Sequence, residues 1–302
     1  YPADEDRSLS YDEAVDALRS ELADAVRCRL VSDVPVGMFL SGGVDSNTIA
    51  CMVRRSSSSR MVGKCGGGPD SPDFGPASRC AEHANFDFER VEVTPEAYLS
   101  GWDELLDDYQ TPLATPSDVI LYHLSREMKK LVGVVLGGEG ADELLCGYAV
   151  QHWAGHDYDL ARQLASGSWD LSASAAQAFA CSLQSQYGSD GFASKVAHYF
   201  ALNSLIPPAA KPALLQPWVW SAVERDGRML QSYADLFDES AGLSTSRQYL
   251  RILHRVNLES LLARLDTSTM LAGLEARVPY TDHRLVEAMF RVPLEFKIDV
   301  DP

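Results

Sequence analysis

A short apolar run, Val34-Pro35-Val36-Gly37-Met38-Phe39-Leu40, stops abruptly at Ser41-Gly42-Gly43, and helical spacing resumes from about Asp45 to Arg55. An unbroken apolar run of this length reads as a strand buried on both faces, the habit of parallel sheets. Strand, glycine turn and helix in that order form the first half of a β-α-β unit. The turn suits an anion. Its glycines let the backbone approach closely, the free N–H groups of a helix start point outward, and the helix dipole adds positive potential. Ser41 and Ser46 supply hydroxyl donors. Asp45 would repel a bare phosphate, so a Mg2+ is expected between the two. No lysine follows the glycines, which excludes the Walker type of loop. The alternative is a plain Gly-Gly turn capped by serine.

The rest of the chain keeps alternating. A helix is expected from Tyr11 to Leu30 behind Ser10 as its cap, then a weak strand near Met61–Cys65 and a helix at about 76–85. A strand at Phe88–Val93, helices near 96–108 and 117–130, and the strongest strand signal, Leu131–Leu136, follow. Such alternation argues for a parallel sheet covered on both faces. From about 149 strand signals fade, and helical patterns occupy 158–166, 174–187, 193–204, 244–264 and 283–290. The expected organisation is a linker and helix at 1–30, an α/β core at 31–150 and a helical part at 151–302.

The strand at Leu131–Leu136 runs into Gly137-Gly138-Glu139-Gly140-Ala141-Asp142-Glu143. In open parallel sheets ligands bind beyond the carboxyl ends of the strands, so this loop and the first should face one crevice. Asp142 is then a second candidate Mg2+ ligand beside Asp45, and Glu139 is placed to orient a substrate ammonium or a nucleophile. A solvated acidic turn is the plainer alternative. His152 and His156 have a metal-like spacing but no third ligand close by, and read as surface residues. The five tryptophans are expected to pack the helical part.

Of the 302 residues, 43 are acidic and 26 basic, a net charge of −17 that disfavours nucleic acid and anionic membranes. No run approaches the ~18 apolar residues of a membrane span, and YPADEDRSLS lacks the form of a signal peptide. Six scattered cysteines without a CxxC pair fit a reduced, cytoplasmic setting.

The SGGVDS loop, GEGADE and Leu274-Glu275-Ala276-Arg277-Val278-Pro279-Tyr280-Thr281-Asp282-His283-Arg284-Leu285 together resemble the synthetase domain of the asparagine synthetases. The resemblance covers essentially the whole chain. It implies an N-type ATP pyrophosphatase core (adenine nucleotide α-hydrolase-like), that is, a parallel α/β sheet followed by a mainly helical region. It also implies a reaction: a carboxylic acid, aspartate being favoured, attacks the α-phosphate of Mg-ATP, and ammonia or another amine then displaces AMP. By matching position, Ser41, Gly42, Gly43, Asp45 and Ser46 would hold pyrophosphate, and Leu40 and Gly138 would line the nucleotide. Glu139 and Asp142 would serve substrate and metal. The segment Asp266–Met270 is similar to a cleft-lining family helix, with buried packing the alternative. For Glu275 and Arg277 an ion pair seating the loop is the favoured reading, and His283 and Arg284 should begin the last helix.

Four departures from the family stand out. The chain starts at Tyr1, without the glutaminase domain that frees ammonia from glutamine in familiar members, so such a domain or subunit is an expected partner. Gly137 stands where the family usually has serine. The loop Gln110–Ser117 lacks the arginine with which asparagine-forming members grip aspartate. No lysine here matches the family's adenylation lysine, and the chain ends at Pro302. The weak signal near Met61–Gly68 could reflect missing chain. The resemblance therefore leaves room for relatives that close β-lactam or macrocyclic rings, and for a non-catalytic nucleotide-binding module. It leaves the oligomeric state open.

Overall fold

The computed structural model describes residues 5–57, 59–109, 113, 115–170, 172–189 and 191–298. They form two compact units, Tyr1–Leu144 with Asn257–Pro293, and Leu145–Val256 with Leu294–Pro302. In chain order the first unit contains α1 (Tyr11–Arg29), β1 (Val36–Phe39), α2 (Val44–Ser56), β2 (Val62–Gly67), α3 (Phe74–Ala84) and β3 (Asp87–Glu92). Next come α4 (Pro95–Tyr109), α5 (Ser117–Lys129), β4 (Val134–Leu136) and α6 (Ala141–Leu145). The second unit supplies α7 (Ala149–Ser166), α8 (Ala173–Tyr187), α9 (Lys195–Leu202), α10 (Lys211–Leu214), α11 (Pro217–Ala222) and α12 (Gly227–Glu239). Then α13 (Thr245–Leu271), β5 (Glu275–Arg277) and α14 (His283–Arg291) follow, with α13 joining the first unit at Asn257.

All four strand pairings are parallel, and the sheet order is β3-β2-β1-β4-β5. The fold class expected from the sequence, a parallel α/β sheet followed by a mainly helical region, is the one found. Because β2 lies on one side of β1 and β4 on the other, the strand order reverses between β1 and β4. Loops leaving such a switch point diverge and open a crevice. The SGGVDS and GGEGADE loops are those two loops. A core of Phe39, Val91, Val93, Leu124, Met128, Val132, Val135, Leu265 and Leu274 fixes the sheet against its helices.

The weak second strand exists in full, so no missing chain is needed to explain it. β2 reads Val-Gly-Lys-Cys-Gly-Gly and pairs on both sides. Its apolar signal is poor because glycines make room for neighbours and a buried lysine sits in its middle. A β-carbon at Gly63 would overlap the Leu40 side chain. The Lys64 side chain is 4% exposed, and its ammonium pairs with Glu89 at 2.6 Å and donates to the Glu127 carbonyl at 3.0 Å. A buried charge is tolerated only with such partners.

Elsewhere the structure corrects the sequence reading. The strand expected at Leu131–Leu136 is confined to Val134–Leu136, because Leu131 and Val132 donate back to the Met128 carbonyl and wind up the end of α5. β5 was not foreseen, since Glu-Ala-Arg carries no apolar signal and forms by pairing with β4. In the second unit, α7 begins at Ala149, not near 158, and α12 is additional. His152 is not a surface residue: it is 1% exposed on the inner face of α7, its Nδ1 2.8 Å from the Tyr148 carbonyl. Trp153 and Trp218 are exposed instead of packed. The core of that unit is aromatic and aliphatic, centred on Tyr199, Phe200, Tyr233, Phe237, Tyr249 and Ile252.

Candidate active site

The first loop is held by its own serines. Ser41 Oγ and Ser46 Oγ are 3.0 Å apart, the Ser41 N–H donates to Ser46 Oγ at 3.3 Å, and the Gly43 N–H donates to Ser41 Oγ at 3.3 Å. Gly42 has φ +74°, a left-handed conformation natural to glycine, and a β-carbon there would collide with Pro76 and Ala77 at the head of α3. Gly43 caps α2 with extended backbone and no side-chain hydrogen bond. The opening N–H groups of α2 are thus not covered by a capping side chain, which is what an anion cradle requires. Leu40 is 1% exposed and packs into the core, so any contact it makes with a ligand would be through its backbone.

Gly138 brings the second loop onto the same helix start. A β-carbon at Gly138 would lie 3.4 Å from the Ser46 nitrogen and 3.6 Å from Asp45 Cβ. The Asp142 carboxylate stands near enough for its charge to act on Asp45. Burial, then the negative charges of Asp142 and Glu143, push the Asp45 carboxyl up to about 6. Burial likewise raises Asp142. Two half-buried carboxylates that repel each other are a fitting place for a divalent cation. Among the described residues no cluster of three metal-type side chains exists, so Asp45 and Asp142 would hold Mg2+ only with phosphate oxygens completing the shell. Glu143 is engaged structurally, 1% exposed and accepting from Asn257 Nδ2 at 2.6 Å.

Glu139 lies differently. Its Oε2 is shielded from solvent with no hydrogen-bond partner, and it occupies the space a β-carbon at Gly137 would need. Burial raises its carboxyl, and the charge of Arg264 opposes that rise. The replacement of the family's serine by Gly137 therefore has a geometric correlate.

The third motif works mainly as a clasp. Arg277 pairs with Glu275 at 2.7 Å and donates to the Arg29 and Val31 carbonyls at 2.9 and 2.7 Å, tying β5 to the end of α1. Asp282 caps α14 by accepting from the Arg284 N–H at 3.1 Å, and it binds Arg29 at 3.0 Å. Burial alone would raise the Asp282 carboxyl, but the hydrogen bonds from Arg284 and Arg29 outweigh it and hold it at about 2. Tyr280 reaches the crevice, its Oη donating to the Asp45 carbonyl at 3.4 Å. Of the Asp266–Met270 segment, Ser268 and Thr269 are fully buried and Met270 is exposed.

Ser41, Gly42, Gly43, Asp45, Ser46, Gly138, Glu139 and Asp142 thus gather at one switch point in the first unit, with Leu40 beneath them. Tyr280, Asn257 and Arg264 join them and were not singled out by sequence reasoning. Tyr280 stood within a quoted motif, whereas Arg264 and Asn257 on α13 gave no local signal. Of the loop Gln110–Ser117, residues 110–112 and 114 lie outside the described residues, as do residues 299–302 at the chain end.

Fold and crevice define a parallel α/β protein with an uncapped helix start and a carboxylate pair at its switch point. The asparagine synthase family model matches residues 17–301, and the chain belongs to that family. It is 28% identical over 292 residues to asparagine synthetase [glutamine-hydrolyzing] 1 of Bacillus subtilis (strain 168), covering 95% of this chain and 45% of that protein. Asparagine synthetase [glutamine-hydrolyzing] 3 of the same organism is 28% identical over 308 residues, covering 96% and 44%. Asparagine synthetase B of Escherichia coli (strain K12) is 30% identical over 153 residues, covering 45% and 28%. The chain thus spans less than half the length of these curated relatives. Among solved structures, the NH3-dependent NAD synthetase from Campylobacter jejuni shows a partial likeness at 18% identity and a TM-score of 0.32, covering 46% of this chain and 61% of that one.

Proposed function

We propose that this chain is the synthetase part of an ATP-dependent amide-forming ligase that activates a carboxylic acid as its adenylate. The carrying observation is the meeting, through Gly138, of the uncovered N-terminus of α2 with the Asp45 and Asp142 carboxylates. A triphosphate placed there would meet N–H donors at its β- and γ-phosphates. Bound Mg2+ would neutralise phosphate charge that two carboxylates alone would repel. The acid's oxygen would form a bond to the α-phosphorus while the bond to pyrophosphate breaks. An amine nitrogen would then attack the acyl carbon, lose a proton and release AMP. Such transfers need alignment and charge neutralisation more than a protein nucleophile. Ser41, Ser46 and the glycines position, Asp45 and Asp142 hold the metal, and Glu139 orients the acid or the amine.

Aspartate is the favoured acid and ammonia the favoured amine, the ammonia coming from glutamine through a glutaminase domain or subunit. The absence of arginine from the sequence of Gln110–Ser117 keeps a second acid class in view. The test is product analysis with ATP, Mg2+, L-aspartate and ammonium. AMP, pyrophosphate and asparagine in equal amounts are expected, with pyrophosphate release abolished by Asp45→Ala. Undiminished pyrophosphate release by that variant would remove Asp45 from the metal site.

A further inference from the structure

The carboxyl half of α13 lies along the GGEGADE loop. Asn257 binds Glu143, and Leu258 is the side chain a β-carbon at Gly140 would touch at 3.3 Å. Arg264 lies seven residues after Asn257, two helical turns on and on the same face. Its guanidinium is held but not saturated. Nη1 donates to Ser117 Oγ at 3.0 Å and reaches Thr115 Oγ1 at 3.5 Å, both at the head of α5. Nε is buried without an acceptor. The Asp118 carboxylate stands 3.9 Å from Nε, beyond hydrogen-bond reach, and already accepts from Thr115 Oγ1 at 2.6 Å and from the Thr115 N–H at 3.3 Å.

Two buried polar atoms of opposite character therefore stand without hydrogen-bond partners on adjoining elements of one unit: Arg264 Nε and Glu139 Oε2. Buried polar atoms are satisfied in nearly all native structures, and two orphans of opposite character on adjoining elements leave bonding that a single ligand can complete. A donor is wanted by Glu139 and an acceptor by Arg264. A molecule carrying both an ammonium and a carboxylate besides its reacting carboxyl supplies both at once.

We propose that Arg264 is a specificity-determining residue, which receives the non-reacting carboxylate of an amino-acid substrate while Glu139 receives its ammonium. The inference rests on the acid-activating reading above and assigns the cation that reads the acid. The loop Gln110–Ser117 supplies no arginine of its own, and Arg264 reaches the end of that loop from α13. Arginine suits the task because its planar fork can hold a carboxylate by two donors while a third stays on Ser117.

The test is Mg-ATP–pyrophosphate exchange by the intact protein with two matched pairs, L-aspartate with β-alanine and L-glutamate with 4-aminobutyrate. In each pair the second member lacks the non-reacting carboxylate. In the wild type one dicarboxylic member is expected to have a KM at least about tenfold below that of its partner, as one charged contact would give. Arg264→Gln should abolish that preference with the KM for ATP unchanged, and Arg264→Lys should restore part of it. A thermal-unfolding midpoint for each variant separates folding from recognition, and Ser117→Ala removes the Nη1 anchor while keeping the charge. Wild-type exchange with an unchanged preference in Arg264→Gln overturns the inference alone. Wild-type exchange in which neither dicarboxylic member is preferred also overturns it alone. Absence of exchange in the wild type with all four acids overturns the inference together with the reading beneath it.

Discussion

The carboxylate of Glu139 folds back over Gly137 into the space a β-carbon there would fill. One glycine thereby leaves room for the orientation of an acidic group whose Oε2 is shielded from solvent. The atom displaced by a larger residue would be the end of a flexible side chain, so the fold should tolerate the change while the site should not.

Gly137→Ser is accordingly expected to leave the unfolding midpoint nearly unchanged and to shift the KM for the acid substrate by about tenfold, a ~1.4 kcal/mol change in recognition. Exchange kinetics with the acid and with ATP varied separately will check this. Equal effects on both substrates, or none, would detach Gly137 from the orientation of Glu139.

Asp45 should trade stability for function. Its carboxyl sits at about 6 in the folded chain, above the ordinary value of 3.8, because burial and the charges of Asp142 and Glu143 disfavour ionisation. The folded state therefore binds more protons than the unfolded state between those values, and its stability falls as pH rises through that window. Asp45→Asn is expected to stabilise the metal-free protein by about 1–2 kcal/mol above pH 6, allowing for water around a half-buried group, with the gain vanishing below about pH 4. Urea unfolding at pH 8 and pH 4 measures it. The same variant should fail to support exchange.

The second unit should be acid-sensitive for a different reason. His152, His198 and His254 are buried, and the Nε2 of His152 and of His198 has no hydrogen-bond partner. Burial pushes all three down to about 4, helped by the nearby Lys297 for His152 and His254. The ordinary value near 6.5 applies once the chain unfolds, so the unfolded state takes up protons first as pH falls. Stability is full above about 6.5 and is lost progressively towards 4, on the order of 3 kcal/mol per ring. NMR titration of the imidazoles will check this, with all three rings still neutral at pH 5. Protonation of any of them near pH 6.5 in the folded protein would contradict the burial argument.

Asp282 should hold the clasp between α1 and α14. Asp282→Asn weakens its charged hydrogen bonds with Arg29 and Arg284, an expected loss of about 2–4 kcal/mol. Because the carboxyl is held at about 2, below its ordinary 3.8, the stability it confers is complete above about pH 4 and disappears as pH falls towards 2. Denaturant midpoints of wild type and variant should converge in strong acid.

How far the sequence discloses all this depends on locality. The SGGVDS turn was legible because strand, glycines and helix are contiguous, and their chemistry follows from backbone geometry alone. GGEGADE was legible as the sequel to an apolar strand, although only Val134–Leu136 of that run is strand. β2 gives a poor signal since it is held by Lys64 meeting Glu89 on another strand and by Gly63 fitted against Leu40. β5 gave none, because Glu-Ala-Arg becomes a strand only beside β4. Arg264 went unnoticed for the same reason: its relation to Ser117 and Glu139 spans more than a hundred residues and exists only in the folded unit. His152 reads as a surface residue because the helical pattern is clear only from about 158, whereas α7 begins at Ala149.

The most direct test of the central claim is Mg2+-dependent ATP–pyrophosphate exchange with L-aspartate, in the wild type and in Asp45→Ala and Asp142→Ala. The account predicts exchange that requires both the acid and Mg2+ and that disappears in both variants. Exchange that survives in both variants, or a wild type silent with aspartate and with every other acid tried, would contradict it.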